Sequence, residues 1–243
     1  MRVFYGFDSL PAFRHPVATT GSFDGVHGGH RMLLERVAAI ARDAGGESVV
    51  MTFEPHPRLV LGGGVRLLTT LDEKLDLLSR AGADNTIVIP FDREFSRLDS
   101  HTFLAEYVAG RIGSEYLAVG YNHRFGHGKE GDFAYLQRVR DEWGLAVMQI
   151  DEFDEGDEKV SSTVIRHLVE EGSMEHAARL LSHRYTVMGI VADGRMTVAD
   201  EHKLLPPDGT YRVTVGGTAT EARIDGRNIE LAGAAEGKTT INF

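Results

Sequence analysis

The sequence predicts an α/β fold, a parallel sheet with crossover helices, followed by a small antiparallel β domain. Three observations carry this. Apolar runs of strand length alternate with stretches of helical apolar spacing from Val17 to about Leu181. Two of the helical stretches close on glycine, at Gly45 and Gly82. After His183 the texture changes to short alternating runs broken by glycine. Strands separated by helices of that length imply a parallel sheet with right-handed crossovers. The change of texture divides the chain into domains at 1–182 and 183–243.

Each element follows from its stretch. "VATTG" reads as a short buried strand, and "HRMLLERVAAIARDAG" as a helix. "SVVMTF" is the next strand and "LDEKLDLLSRAG" the next helix. "NTIVIPF" (strand), "HTFLAEYVAGRI" (helix), "YLAVG" (strand), "DFAYLQRVRDEWG" (helix) and "LAVMQI" (strand) continue the alternation, and "SSTVIRHLVEEG" and "SMEHAARLL" are two further short helices. In the second domain "RYTVMGIVADG", "GTYRVTVGG", "TEARIDG" and "NIELAG" read as strands of a small sheet or barrel.

Bulk properties bound the function. A chain of 243 residues that is 42% apolar and 26% charged can bury a sizeable core. It contains no cysteine, which excludes disulfides and thiolate metal sites and fits a reducing, cytoplasmic setting. No stretch approaches the roughly 18 consecutive apolar residues of a membrane span, and "MRVFYGFDSLPAFRHP" lacks a signal-peptide core. A net charge of −10 argues against general nucleic-acid binding but leaves room for small phosphorylated ligands.

Four stretches carry candidate chemistry. "TGSFDGVHGGH" follows the first strand of the alternation, where open parallel sheets bind ligands. Gly21, Gly25 and Gly29 let the backbone approach a ligand, and the helix that follows offers free N–H groups to an anion. His27 and His30 share one face of its first turn and can donate to a phosphate. In "KVSSTVIR" a hydroxyl among Ser161, Ser162 and Thr163 caps a helix, and Arg166 lies one turn in. In "TFEPHPRLVL" the prolines hold Phe53 and His56 in limited geometries, suiting a pocket wall or a rigid turn. "VGYNHRFGHGKEGD" opens a strand into a loop carrying Asn122, His123, Arg124, Phe125 and Lys129, suited to a planar phosphorylated ligand or to solvent. His27 and His30 lack zinc-helix spacing, no residue is read as a metal ligand, and no G-x-x-x-x-G-K-[ST] loop occurs.

Together these stretches resemble the adenylyltransferase module of the prokaryotic bifunctional riboflavin kinase/FAD synthetases. The resemblance runs from about Val17 to Leu181 and rests on "GSFDGVHGGH", "TFEPHP", "LLTTLDEKLDLL", "VGYNHRFGHGKEGD" and "KVSSTVIR". It implies a Rossmann-like nucleotidylyltransferase domain that joins AMP from ATP to FMN, yielding FAD and pyrophosphate, with Mg²⁺ accompanying ATP. It implies catalytic roles for His27, His30 and Arg166, and an ATP-phosphate site of Gly21, Phe23, Asp24, Gly25, Gly29, Ser162 and Thr163. Phe53, Pro55, His56, Pro57, Asn122, Arg124 and Phe125 fall to the flavin side. Ser22, Gly28 and His123 depart from the family pattern, the last at a position usually aromatic.

The larger departure lies after His183. The family's kinase barrel carries G-[FY]-P-T-A-N and a later N-x-R-P-T; "GIVADGRMTVADEHKLLPPDGTYRVTV" keeps a kinase-like opening strand but neither motif follows. The expectation is a truncated, barrel-like remnant without kinase activity. Two other readings stand beside it: a nucleotidylyltransferase for another phosphorylated small molecule, and a non-catalytic flavin-nucleotide sensor.

Overall fold

The computed structural model describes residues 1–156, 158–231, 233 and 236–243. The chain divides into two compact units, each assembled from separate stretches. The first comprises Met1–Phe23, Gly29–Gly64 and Leu77–Phe153; the second comprises Asp24–Gly28, Val65–Asp76 and Asp154–Phe243.

The first unit holds a six-stranded parallel sheet. Its strands are β1 (Arg2–Tyr5), β2 (Val17–Thr20), β3 (Ser48–Glu54), β4 (Asn85–Pro90), β5 (Tyr116–Gly120) and β6 (Ala146–Ile150), in the order β1-β4-β3-β2-β5-β6. Val17 pairs with Ser48 on one side and Tyr116 on the other. The order therefore turns at β2, and the crevice beyond the carboxyl ends of β2 and β5 is the place such sheets keep for ligands. Alternate strand residues Ala18, Val49, Met51, Ile87, Leu117 and Val119 share a core with Phe103, Leu104, Val108 and Leu136. The helices are α1 (Gly28–Asp43), the single turn α2 (Pro57–Val60), α3 (Leu71–Arg80), α4 (Ser100–Thr102), which continues as a π-helix over Phe103–Arg111, and α5 (Phe133–Val139). The divide between the units passes within α1 and α3.

The second unit contains the short pair β7 (Asp154–Glu155) and β8 (Glu158–Lys159), then α6 (Ser162–Glu170) and α7 (Met174–Leu181). Its remaining strands are β9 (Thr186–Ala192), β10 (Arg195–Thr197), β11 (Gly209–Val215), β12 (Thr218–Asp225), β13 (Asn228–Leu231) and β14 (Gly237–Asn242). They close a barrel in the order β10-β13-β12-β11-β14-β9. Among the described residues no helix is long and apolar enough to cross a membrane.

The predicted α/β fold with a second antiparallel domain is therefore observed. Ile165 and Val169 of α6 and Ala177, Leu180 and Leu181 of α7 share one core with Val187, Val213, Ile229 and Ile241 of the barrel. Strands β1, β10 and β14 are not among those predicted; β1 is a four-residue strand at the sheet edge. β10 buries Met196 within a three-residue strand, and β14, "GKTTIN", buries only Ile241.

Candidate functional site

The loop after β2 is built from strained backbone. Phe23 (φ 48°), Gly25 (φ 83°) and Val26 (φ 41°) all lie in the left-handed region, which is rare for a β-branched residue such as Val26 and is a feature of ligand-binding turns. At Gly25 a side chain is excluded twice over, since a Cβ would lie 2.8 Å from Leu68 Cδ1.

In the second unit, hydrogen bonds hold the Asp24–Gly28 part of this loop. Asp24 is buried, and its carboxylate accepts from the Thr69 N–H (3.0 Å) and from Arg166 Nη2 (2.6 Å). Arg166 Nε donates to the Arg66 carbonyl at 2.7 Å. Ser162 Oγ donates to the Asp24 carbonyl at 2.9 Å, and Thr69 Oγ1 accepts from the Gly25 N–H at 3.1 Å. Ser161 supplies the cap of α6, accepting from the Val164 N–H at 3.3 Å, while Thr163 is exposed beside it. His27 is buried, and desolvation lowers its pKa to about 4; the nearby Asp24 carboxylate opposes the shift and His183 reinforces it. At neutral pH its imidazole is therefore uncharged and can donate one N–H.

A second network anchors the segment that carries Thr69. Thr70 and Glu73 form a reciprocal cap of α3 at 2.8 and 3.3 Å. Glu73 is fully buried against Lys203 Nζ at 2.8 Å and accepts from the Met188 N–H at 2.7 Å. Lys203 Nζ also donates to the Leu68 and Thr186 carbonyls at 2.6 and 2.7 Å and lies 4.3 Å from the Tyr185 ring centre. Burial lowers the Lys203 pKa, and Glu73 opposes that shift.

In the first unit Phe23 is buried, with its ring edge-on to His30 at 5.1 Å, and Gly21 makes room for it, since a Cβ there would lie 3.2 Å from that ring. Gly29 follows Gly28 at the start of α1, ahead of His30. The Ser22 carbonyl accepts from Thr52 Oγ1 at 3.2 Å. The flavin-side candidates separate into two groups. Phe53, Phe95, Phe103 and Phe125 form a continuous row of rings with centroids 6.3, 6.2 and 5.9 Å apart, and His123 stacks on Phe125 at 5.7 Å. His123 Nε2 is buried with no hydrogen-bond partner among the described residues, and burial lowers this ring's pKa to about 4. Asn122 and Arg124 are exposed, bonded to Glu152 (3.3 Å) and Asp132 (3.3 Å). The cis bond Glu54–Pro55 precedes His56, whose Nδ1 accepts from the Arg58 N–H at 3.1 Å and caps α2, with Pro57 as its first residue.

Sequence reasoning missed Thr69, Glu73, Lys203 and His183. The Thr70-x-x-Glu73 capping pattern is the one sequence signal that pointed toward them. Arg166, expected at a phosphate, is shared between Asp24 and the Arg66 carbonyl. Among the described residues there is no group of three or more His, Cys, Asp or Glu that could hold a metal ion.

The chain is similar in sequence and fold to known proteins. The FAD synthetase family profile matches residues 11–164. The bifunctional riboflavin kinase/FMN adenylyltransferase of Escherichia coli strain K12 is 34% identical over 213 residues, 83% of this chain and 68% of that protein. A FAD synthetase of Listeria monocytogenes is 29% identical over 209 residues, 84% of this chain and 82% of that one. A crystal structure described as a macrolide-efflux protein from Streptococcus pneumoniae superposes with a TM-score of 0.82 over 100% of this chain and 89% of that one; at 20% identity it shows a common fold. On the profile match and the 34% identity, the chain belongs to the FAD synthetase family.

Proposed function

We propose that the protein is an FMN adenylyltransferase, transferring AMP from ATP to FMN to give FAD and pyrophosphate, without riboflavin kinase activity. The observation that carries the reading is the family match over residues 11–164, within which "GSFDGVHGGH" begins at the carboxyl end of β2. An FMN phosphate oxygen attacks the ATP α-phosphorus, the new P–O bond forms as the bond to the β-phosphate oxygen breaks, and pyrophosphate leaves with that electron pair.

The side chains bind and orient. His27, neutral at pH 7, donates a single N–H to a phosphate oxygen, and His30 supplies a second donor one turn into α1. Gly21, Gly25 and Gly29 let the backbone approach the phosphates, and the α6 N-terminus, with Ser162 and Thr163, offers further donors. Arg166 takes a positioning role, fixing Asp24 and with it the loop that carries His27. The aromatic row from Phe53 to Phe125 favours a planar flavin, with Pro55, His56 and Pro57 stiffening its β3 end and Asn122 and Arg124 near the FMN phosphate. Mg²⁺ belongs to this reading as the counter-ion of ATP, and no step is assigned to it. The reading without kinase activity is supported by the lack of P-T-A-N between "GIVADG" and "PPDGTYRV".

Purified protein incubated with Mg²⁺, ATP and either FMN or riboflavin tests the reading, with products separated chromatographically. The expected result is FAD from FMN and no FMN from riboflavin. FMN binding without any product would replace this reading with that of a flavin-nucleotide sensor.

A further inference from the structure

His183 stands between α7 and β9, just after Ser182, whose left-handed backbone (φ 59°) ends α7. Its Nε2 lies 3.0 Å from the Gly25 carbonyl, and its Nδ1 lies 2.8 Å from the Arg184 carbonyl. A carbonyl oxygen only accepts, so the hydrogen bond to Gly25 uses the form of the ring that carries a proton on Nε2. Gly25 thus has both backbone groups engaged, its N–H by Thr69 Oγ1 and its carbonyl by His183. That carbonyl belongs to the peptide leading into Val26, the left-handed residue immediately before His27.

Strained backbone persists only where its surroundings over-determine it. Thr69 and Asp24 fix the loop on its N-terminal side, but neither holds the Gly25–Val26 peptide plane by its oxygen. His183 does, and it comes from the segment that enters the barrel. The residual barrel thereby acquires a task unrelated to kinase chemistry, because Tyr185 and Val187, in the barrel core, anchor the chain immediately after this histidine. We propose that His183 is a positioning residue for adenylyl transfer: its hydrogen bond to the Gly25 carbonyl orients the peptide that presents His27 to the ATP phosphates. The proposal rests on the adenylyltransferase reading.

The test compares wild type, His183→Ala and His183→Gln by steady-state FAD formation, by calorimetric binding of α,β-methylene-ATP and by thermal melting. His183→Ala is expected to lower kcat about tenfold and to weaken analogue binding at least threefold, leaving the KM for FMN within twofold. His183→Gln retains an N–H donor and is expected to recover kcat to within threefold of wild type. A merely structural role would move the melting temperature without that split between nucleotide and FMN, and without rescue by glutamine. Wild-type kcat and analogue affinity in His183→Ala, or an equal loss in both variants, would overturn the proposal. Should the alanine variant not fold, the glutamine variant decides: near-normal kcat supports the proposal and a tenfold loss overturns it. A wild-type protein that forms no FAD sinks the activity reading; analogue binding then judges His183, and affinity unchanged in the alanine variant overturns its role.

Discussion

The Asp24 carboxylate and the Arg166 guanidinium lie 142 positions apart in sequence and 2.6 Å apart in the fold, both buried. Removing one partner leaves the other's charge without compensation where water does not reach, which costs about 3–5 kcal/mol. Asp24→Asn is therefore expected to lower the unfolding free energy in urea by that amount, and Arg166→Lys to lose part of it too, since Arg166 reaches the Arg66 carbonyl and Asp24 with two separate nitrogens, Nε and Nη2, where lysine has one. Two histidines make stability depend on acid. His27 and His123 are held at about 4 in the fold against 6.5 in an unfolded chain. Between those values the unfolded chain takes up a proton that the folded chain refuses, so stability falls as pH drops through that window. Each ring contributes about 2 kcal/mol of loss between pH 7.5 and 5, and chemical denaturation of His123→Phe should show a pH slope reduced by one such ring. The paired His27 and His30 were legible because a turn and a cap give no reason for imidazoles there. Arg166 was legible as a residue but not in its partner, because nothing local links "FDG" to "VIR". His123 sits in a run of polar and glycine residues whose pattern gives no sign of burial.

At the scale of elements, the loop after β2 depends on Gly25 and α6 depends on its cap. Gly25→Ala combines a left-handed φ with a 2.8 Å clash against Leu68, and a cost of about 1–3 kcal/mol is expected, with ATP binding weakened alongside. Ser161→Ala removes the acceptor for the Val164 N–H and should cost about 1 kcal/mol by thermal melting. The alternating strands and helices were readable because buried parallel strands carry continuous apolar runs, as Val49, Val50 and Met51 do in β3. β1, β10 and β14 were not, since a short edge strand and two strands with one buried side chain each leave no run to detect. The barrel shows the same limit: β9 and β11–β13 were seen in the sequence, yet closure requires β14 between β9 and β11.

Across the whole molecule, the texture change at His183 marked a change of architecture rather than the edge of a compact unit. Apolar faces of α6 and α7 have the same composition whether they cover a parallel sheet or a barrel, so sequence alone could not assign them. The buried Lys203–Glu73 pair belongs to the same unit, and Glu73→Gln, which leaves Lys203 charged and uncompensated, is expected to cost about 3–5 kcal/mol by chemical denaturation. The second unit gathers Asp24–Gly28 and Val65–Asp76 with everything from Asp154 onward. On a ribosome, where synthesis runs from the N-terminus, that composition sets a schedule. Asp24–Gly28 is made among the first, yet the strand that closes the barrel of its unit, Gly237–Asn242, is made more than two hundred residues later. A nascent chain would thus hold this loop without the closed barrel of its compact unit until Ile241 has been made, since Ile241 is in that core.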